Sequence, residues 1–163
     1  MLKDKLKQDM IAALKSGDAN RRSLLGMVMA SIKNKELEKR GRLIKTITDP
    51  VQLEAESQLS EQETLDVVAS EVKRRRDSVA EFEKGGRPEL AKSERAEAEV
   101  LMTYLPAQMS DDELLALVQK TITATGATDV KDIGKVMSAL KPELKGAADG
   151  QRVSAMVKEE LAK

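Results

Sequence analysis

The sequence predicts an all-α protein, with an N-terminal unit of about four helices over residues 1–106 and a three-helix C-terminal bundle over residues 107–163. Two observations carry this. Apolar residues recur every three to four positions along nearly the whole chain, and helix start and stop signals sit in register with that repeat. At 163 residues and 17.9 kDa, the chain has room for two small helical units with real cores.

Leu2, Leu6, Met10 and Ala13 or Leu14 form the first stripe, which ends at Gly17. Asp18 is placed to cap a second helix, whose inward residues are Leu24 or Leu25, Val28 and Ile32. Residues 41–59 lose the pattern, contain Gly41 and the turn signal Asp49-Pro50, and are expected to form a flexible loop. Ser60 with Glu63 reads as a capping box, in which the hydroxyl accepts from the third helical N–H and the carboxylate reaches back to the cap residue. The helix it opens carries Leu65, Val68, Val72, Arg75, Val79 and Phe82 and stops at Gly85-Gly86. Pro88 suits the first turn of the next helix, which runs through Leu90, Ala91, Ala98 and Leu101 to Tyr104.

Pro106 disfavours helical geometry at Leu105, so that helix should end near Tyr104. Ser110 and Glu113 make a second capping box. Leu114, Leu115, Val118 and Ile122 follow on one face, and Gly126 can close the helix in a left-handed conformation. Thr128 or Asp129 caps the next helix, with Val130, Ile133, Val136 or Met137, and Leu140 facing inward until Pro142 interrupts the ladder. Asp149 is the third cap, ahead of Val153, Met156, Val157 and Leu161.

Composition removes several function classes. The chain has no Cys and no His, which excludes disulfides, thiol nucleophiles, imidazole bases and the usual zinc ligands. One Phe and one Tyr leave almost nothing on which nucleic-acid bases could stack. No apolar run approaches bilayer-spanning length and the lysine-rich start lacks a signal-peptide core, so a cytoplasmic protein without membrane contact is expected. No spacing marks out a catalytic pair, a metal site or a cofactor site.

The net charge of zero conceals a segmental asymmetry. Residues 1–45 carry twelve Lys/Arg against five Asp/Glu, residues 46–108 eight against fourteen, and residues 109–163 eight against nine. The basic start can dock on the acidic middle, or it can present a nucleic-acid surface. The cluster Lys33, Lys35, Lys39, Arg40, Arg42 and Lys45 best supports the second reading.

Arg75 falls where the stripe calls for an apolar side chain. It must pair with a carboxylate such as Glu97, or hold a ligand or RNA phosphate in a groove between helices. Lys131 and Lys135, one turn apart, form either a solvated face or a contact for adjacent phosphates. Gly134 between them, read as mid-helix, suggests close approach by another helix of its own domain. The free N–H groups after Lys145-Gly146-Ala147-Ala148-Asp149-Gly150 could cradle a phosphate, but the Asp149 carboxylate would fill those donors and repel an anion.

Tyr104-Leu105-Pro106, the helix start from Ser110 to Leu114, Asp132-Ile133-Gly134-Lys135-Val136-Met137, Lys145-Gly146 and Asp149-Gly150 together resemble the C-terminal GatB/YqeY domain. Lys73, Arg75, Asp77, Ser78, Phe82, Arg87 and Leu90 match the pattern of free-standing YqeY-like proteins, so the resemblance spans nearly the whole chain. It implies a link to tRNA. The same domain forms a tRNA-contacting tail on the B subunit of the tRNA-dependent amidotransferase and an extension on some glutaminyl-tRNA synthetases. The kinase and transamidation residues of that subunit do not carry over, and a carbon–nitrogen ligase label would be inherited by domain sharing.

The expectation is therefore a non-catalytic tRNA-binding accessory protein that contacts phosphates through Lys39, Arg40, Arg42, Arg75, Lys131, Lys135 and Lys145. The alternative is a helical protein–protein adaptor for a translation, tRNA-charging or amidotransferase enzyme. An enzyme in its own right is the third possibility.

Overall fold

A computed structural model describes residues 1–144 and 146–162. Those residues form eight α-helices and one short 3-10 turn. The chain divides into two compact units, Met1–Tyr104 and Leu105–Lys163.

The first unit contains α1 (Leu2–Ser16), α2 (Ala19–Leu43), α3 (Pro50–Ser57), α4 (Glu61–Lys84) and α5 (Pro88–Met102). Helices α1 and α2 make a hairpin that turns on Gly17, whose φ of 76° is the left-handed geometry expected there. Asp18 then accepts from the Arg21 N–H. Helices α4 and α5 make a second hairpin, and α2 and α1 pack on α4. Leu6, Leu25, Val28, Ile32, Val68 and Leu101 are fully buried between them.

The N-terminus of α1 has no side-chain cap of its own, and Glu61 at the start of α4 supplies one. Both of its carboxylate oxygens accept from the Leu2 N–H at 3.0 Å. Tyr104 ties the far end of the unit together. Its hydroxyl donates to Asp9 Oδ2 at 2.6 Å and accepts from Arg21 Nη2 at 3.3 Å.

Residues 41–59 differ from the expected flexible loop. Helix α2 runs on to Leu43, and α3 occupies Pro50–Ser57 with Leu53 and Ser57 buried. The first unit therefore has five helices rather than about four. The Asp49-Pro50 pair read as a turn is in fact a helix start, because the Asp49 carboxylate accepts from the Val51 and Gln52 N–H groups and Pro50 occupies the first turn, where its missing N–H costs nothing.

The second unit contains α6 (Asp111–Thr125), a 3-10 turn (Val130–Asp132), α7 (Ile133–Leu144) and α8 (Gly150–Leu161). Its core is Leu114, Val118, Val136, Leu140, Val153 and Val157, all fully buried, with Met109, Leu117, Ile122 and Met156 packed around them. The Ser110 capping box and the left-handed Gly126 form as the sequence indicates.

Helix α7 departs from expectation at both ends. Asp129 caps the 3-10 turn rather than an α-helix, which leaves Val130 exposed and makes Gly134 the second residue of α7 instead of a mid-helix position. Among the described residues, no atom beyond the adjoining residues and backbone of α7 itself lies within 4 Å of a Cβ built on Gly134, so the close approach inferred for it is absent there. At the other end Pro142 lies inside α7 instead of ending it. A proline that near the terminus forfeits one backbone hydrogen bond and leaves two further residues to complete the turn.

Candidate nucleic-acid interface

Most of the basic cluster on α2 is already paired. Lys39 Nζ donates to Glu63 Oε2 at 2.9 Å and to the Gln58 carbonyl at 3.0 Å. Arg40 pairs with Glu54 of α3, and Lys35 with Glu38 one turn on at 2.8 Å. Glu36 is only 4% exposed, and it accepts from Lys3 Nζ and from the Leu59 N–H. Of the surplus cations of residues 1–45, Lys39 and Arg40 are thus answered by carboxylates of the acidic middle segment, Glu63 and Glu54. The Lys39 ammonium, helped by the Ser60 N–H, holds the Glu63 carboxyl below its usual range.

Arg42, on the last turn of α2, and Lys45 beyond it are exposed and form no ion pair among the described residues. Arg42 stands at a groove of about 360 Å³ between α2 and α4. Lys35 and Lys39 line its α2 wall, and Glu63, Asp66 and Glu71 line the α4 wall. An anion inside this groove would meet carboxylates as well as ammonium groups.

Arg75 is 5% exposed and lies between two carboxylates. Its Nη1 donates to Glu71 Oε2 at 2.7 Å and to the Glu71 carbonyl, and its Nε donates to Glu97 Oε2 at 2.9 Å. The other Glu71 oxygen accepts from Ser31 Oγ at 2.8 Å and from Arg74 Nη1 at 3.4 Å. Glu97 was the expected partner. Glu71 was missed, although it lies four residues before Arg75, the spacing at which helical side chains meet. The guanidinium is committed to structure.

In the second unit, Lys131 and Lys135 are both exposed and neither forms an ion pair among the described residues. Lys131 sits in the 3-10 turn and Lys135 in α7, so the pair straddles a junction instead of sharing one α-helical face. Lys145 lies outside the described residues. The donors at the start of α8 are occupied, since Asp149 Oδ1 accepts from the Gln151 and Arg152 N–H groups at 2.9 and 3.2 Å. Among the described residues no three His, Cys, Asp or Glu side chains converge on a metal-sized site, and no helix is long and apolar enough to cross a membrane.

A family model described as Yqey-like protein matches residues 3–161. The chain belongs to the YqeY-like family. The match takes in both units, from α1 to the last turn of α8. The chain is also similar to the Altered inheritance of mitochondria protein 41, mitochondrial, of Kluyveromyces lactis, with 31% identity over 120 residues that cover 72% of this chain. The matched region is 57% of that protein's length, so this YqeY-like chain corresponds to little more than half of it.

Proposed function

We propose that this YqeY-like protein is a non-catalytic accessory factor of tRNA metabolism that holds tRNA by its phosphates. The supporting observation is the set of exposed cations that form no ion pair among the described residues, Arg42 and Lys45 in the first unit and Lys131 and Lys135 in the second. Lys39, Arg40 and Arg75 are engaged by Glu63, Glu54 and the Glu71–Glu97 pair, so this reading rests the phosphate contacts on the other four. With one Phe and one Tyr in the chain, bases are not stacked, and the RNA is read by shape. The resemblance to the amidotransferase tail domain supplies tRNA as the particular RNA. In this reading the protein works where tRNA is charged, in the cytoplasm.

A gel shift of purified protein against total tRNA at low and moderate salt tests the reading. Binding is expected to be weak and to fall as salt rises, through counterion release. Charge reversal at Arg42 and Lys45, or at Lys131 and Lys135, is expected to weaken it and to flatten the salt slope by about one for each phosphate no longer neutralised. No binding at low salt, or indifference to both pairs of reversals, would replace this reading with the adaptor. Exposed Ile11, Leu14 and Met27 on the α1–α2 hairpin favour that second reading.

A further inference from the structure

Between α1 and α2 runs a second groove, of about 390 Å³, lined by Met10, Ile11 and Leu14 on one side and Arg22, Ser23 and Gly26 on the other. Ile11 is 40% exposed and Leu14 59%, and Met27, next to Gly26, is 46% exposed. We infer that this groove is the docking site for an acidic amphipathic helix of a partner protein.

Two independent observations converge on that occupant. The first is charge. Lys7 and Lys15 lie one turn either side of Ile11, and Arg22 lines the groove itself; none of the three forms an ion pair among the described residues. This contrasts with Arg40 and Lys39 farther along α2, which meet Glu54 and Glu63. An apolar trough with a cationic rim is complementary to a helix that presents large apolar side chains flanked by Asp or Glu.

The second observation is Gly26. Glycine inside a helix weakens it relative to alanine, and Gly26 is the eighth residue of the 25-residue α2, far from either end. Among the described residues, nothing beyond the adjoining residues and backbone of α2 itself lies within 4 Å of a Cβ built there, so intramolecular packing does not require the missing side chain. Gly41 and Gly134 also have open space, but they sit in the last turn of α2 and the first turn of α7, where the cost of glycine is small. At Gly26 the bare backbone deepens the groove floor. A knob from a partner helix gains from that depth, whereas an anionic bilayer surface favours a convex apolar face.

The test measures binding of a labelled helical peptide of about five turns, with a leucine stripe flanked by glutamates, to the whole protein by fluorescence anisotropy. Its counterpart has every glutamate replaced by lysine. The glutamate peptide is expected to bind at least about tenfold more tightly than the lysine peptide. Gly26→Ala is expected to raise Tm by about 2 °C while weakening the glutamate peptide at least about fivefold. Leu14→Glu is expected to abolish binding without loss of helix content. Equal binding of the two peptides, or full binding by the more stable Gly26→Ala protein, would overturn the inference. So would a dimer that Leu14→Glu dissociates in sedimentation velocity, which would make the occupant a second copy, or Leu14-dependent binding to phosphatidylglycerol vesicles in the absence of peptide binding.

Discussion

Arg75 and Tyr104 show how single polar residues hold the first unit together. Arg75 occupies a core position in the α4 stripe, and its removal takes the 2.7 Å partner from the buried Glu71 carboxylate, leaving it Ser31 and the exposed Arg74 at 3.4 Å, and takes from Glu97 its ion pair. Breaking a buried pair from one side costs about 3 kcal/mol or more. Arg75→Ala is therefore expected to lower the urea midpoint well beyond the ~0.5 kcal/mol range of surface substitutions. Arg75→Lys should not restore it, since one ammonium cannot reproduce the two-sided guanidinium geometry. An unchanged midpoint together with lost tRNA binding would reverse the structural assignment of Arg75. Tyr104 gives a pH prediction. Burial, with the Asp9 carboxylate that its hydroxyl donates to, pushes its pKa above the ordinary 10.0. The folded state thus holds that proton more tightly than the unfolded chain. The associated stability is fully present below pH 10.0 and is lost as pH rises towards the folded value. Because Tyr104 is the single tyrosine and the chain has no tryptophan, tyrosinate absorbance follows this residue alone. Its midpoint in the native protein should exceed that in urea, and Tyr104→Phe should remove the corresponding alkaline loss of stability.

Element boundaries depend on groups a few residues apart, and α3 shows how those signals compete. The eight residues of α3 are too few for a stripe to stand out against noise, and Asp49-Pro50 is compatible with a turn or a helix start. The choice falls to helix because Leu53 finds a buried position and Glu54 reaches Arg40. Limited proteolysis should consequently cut between residues 44 and 49, with residues 50–57 protected. Asp49→Ala removes the acceptor for two N–H groups and should cost about 1 kcal/mol. That loss is expected to extend cleavage into α3, and cleavage first within residues 50–57 of the unmutated chain would contradict the assignment. The caps at Asp18, Ser60, Ser110, Gly126 and Asp149 were all visible in the sequence because each acts within four residues. The cap on α1 was not, since its acceptor, Glu61, comes from 59 residues away.

At the level of the whole molecule, the second unit closes its core with its own side chains. Every member of the cluster around Leu114, Val118, Val136, Leu140, Val153 and Val157 lies between residues 109 and 161. A fragment of residues 105–163 is therefore expected to give a helical circular dichroism spectrum and a single cooperative thermal transition. Val136→Ala in that fragment should cost about 1–3 kcal/mol as a cavity opens in so small a core. A fragment that is unstructured under native conditions would mean that the unit depends on the rest of the chain.

Apart from α3 and the 3-10 start of α7, helix identity, register and most caps were determined by the sequence alone, because periodicity and capping are local: the groups that decide them lie within about one turn of each other. The core stripes of α4, α6 and α8 follow from the same short-range information. Tertiary structure decided which charges are paired. Lys39, Arg40 and Arg42 are neighbours on one helix and look alike in the sequence, yet the first meets Glu63, the second meets Glu54, and only the third stands without an ion pair. It also decided that Arg75 is held by two carboxylates and that the Ile11–Leu14 face of α1 stays uncovered beside Gly26. Composition counts charges and apolar groups, but whether each one is paired or buried depends on residues from distant segments, and only the folded chain brings those together.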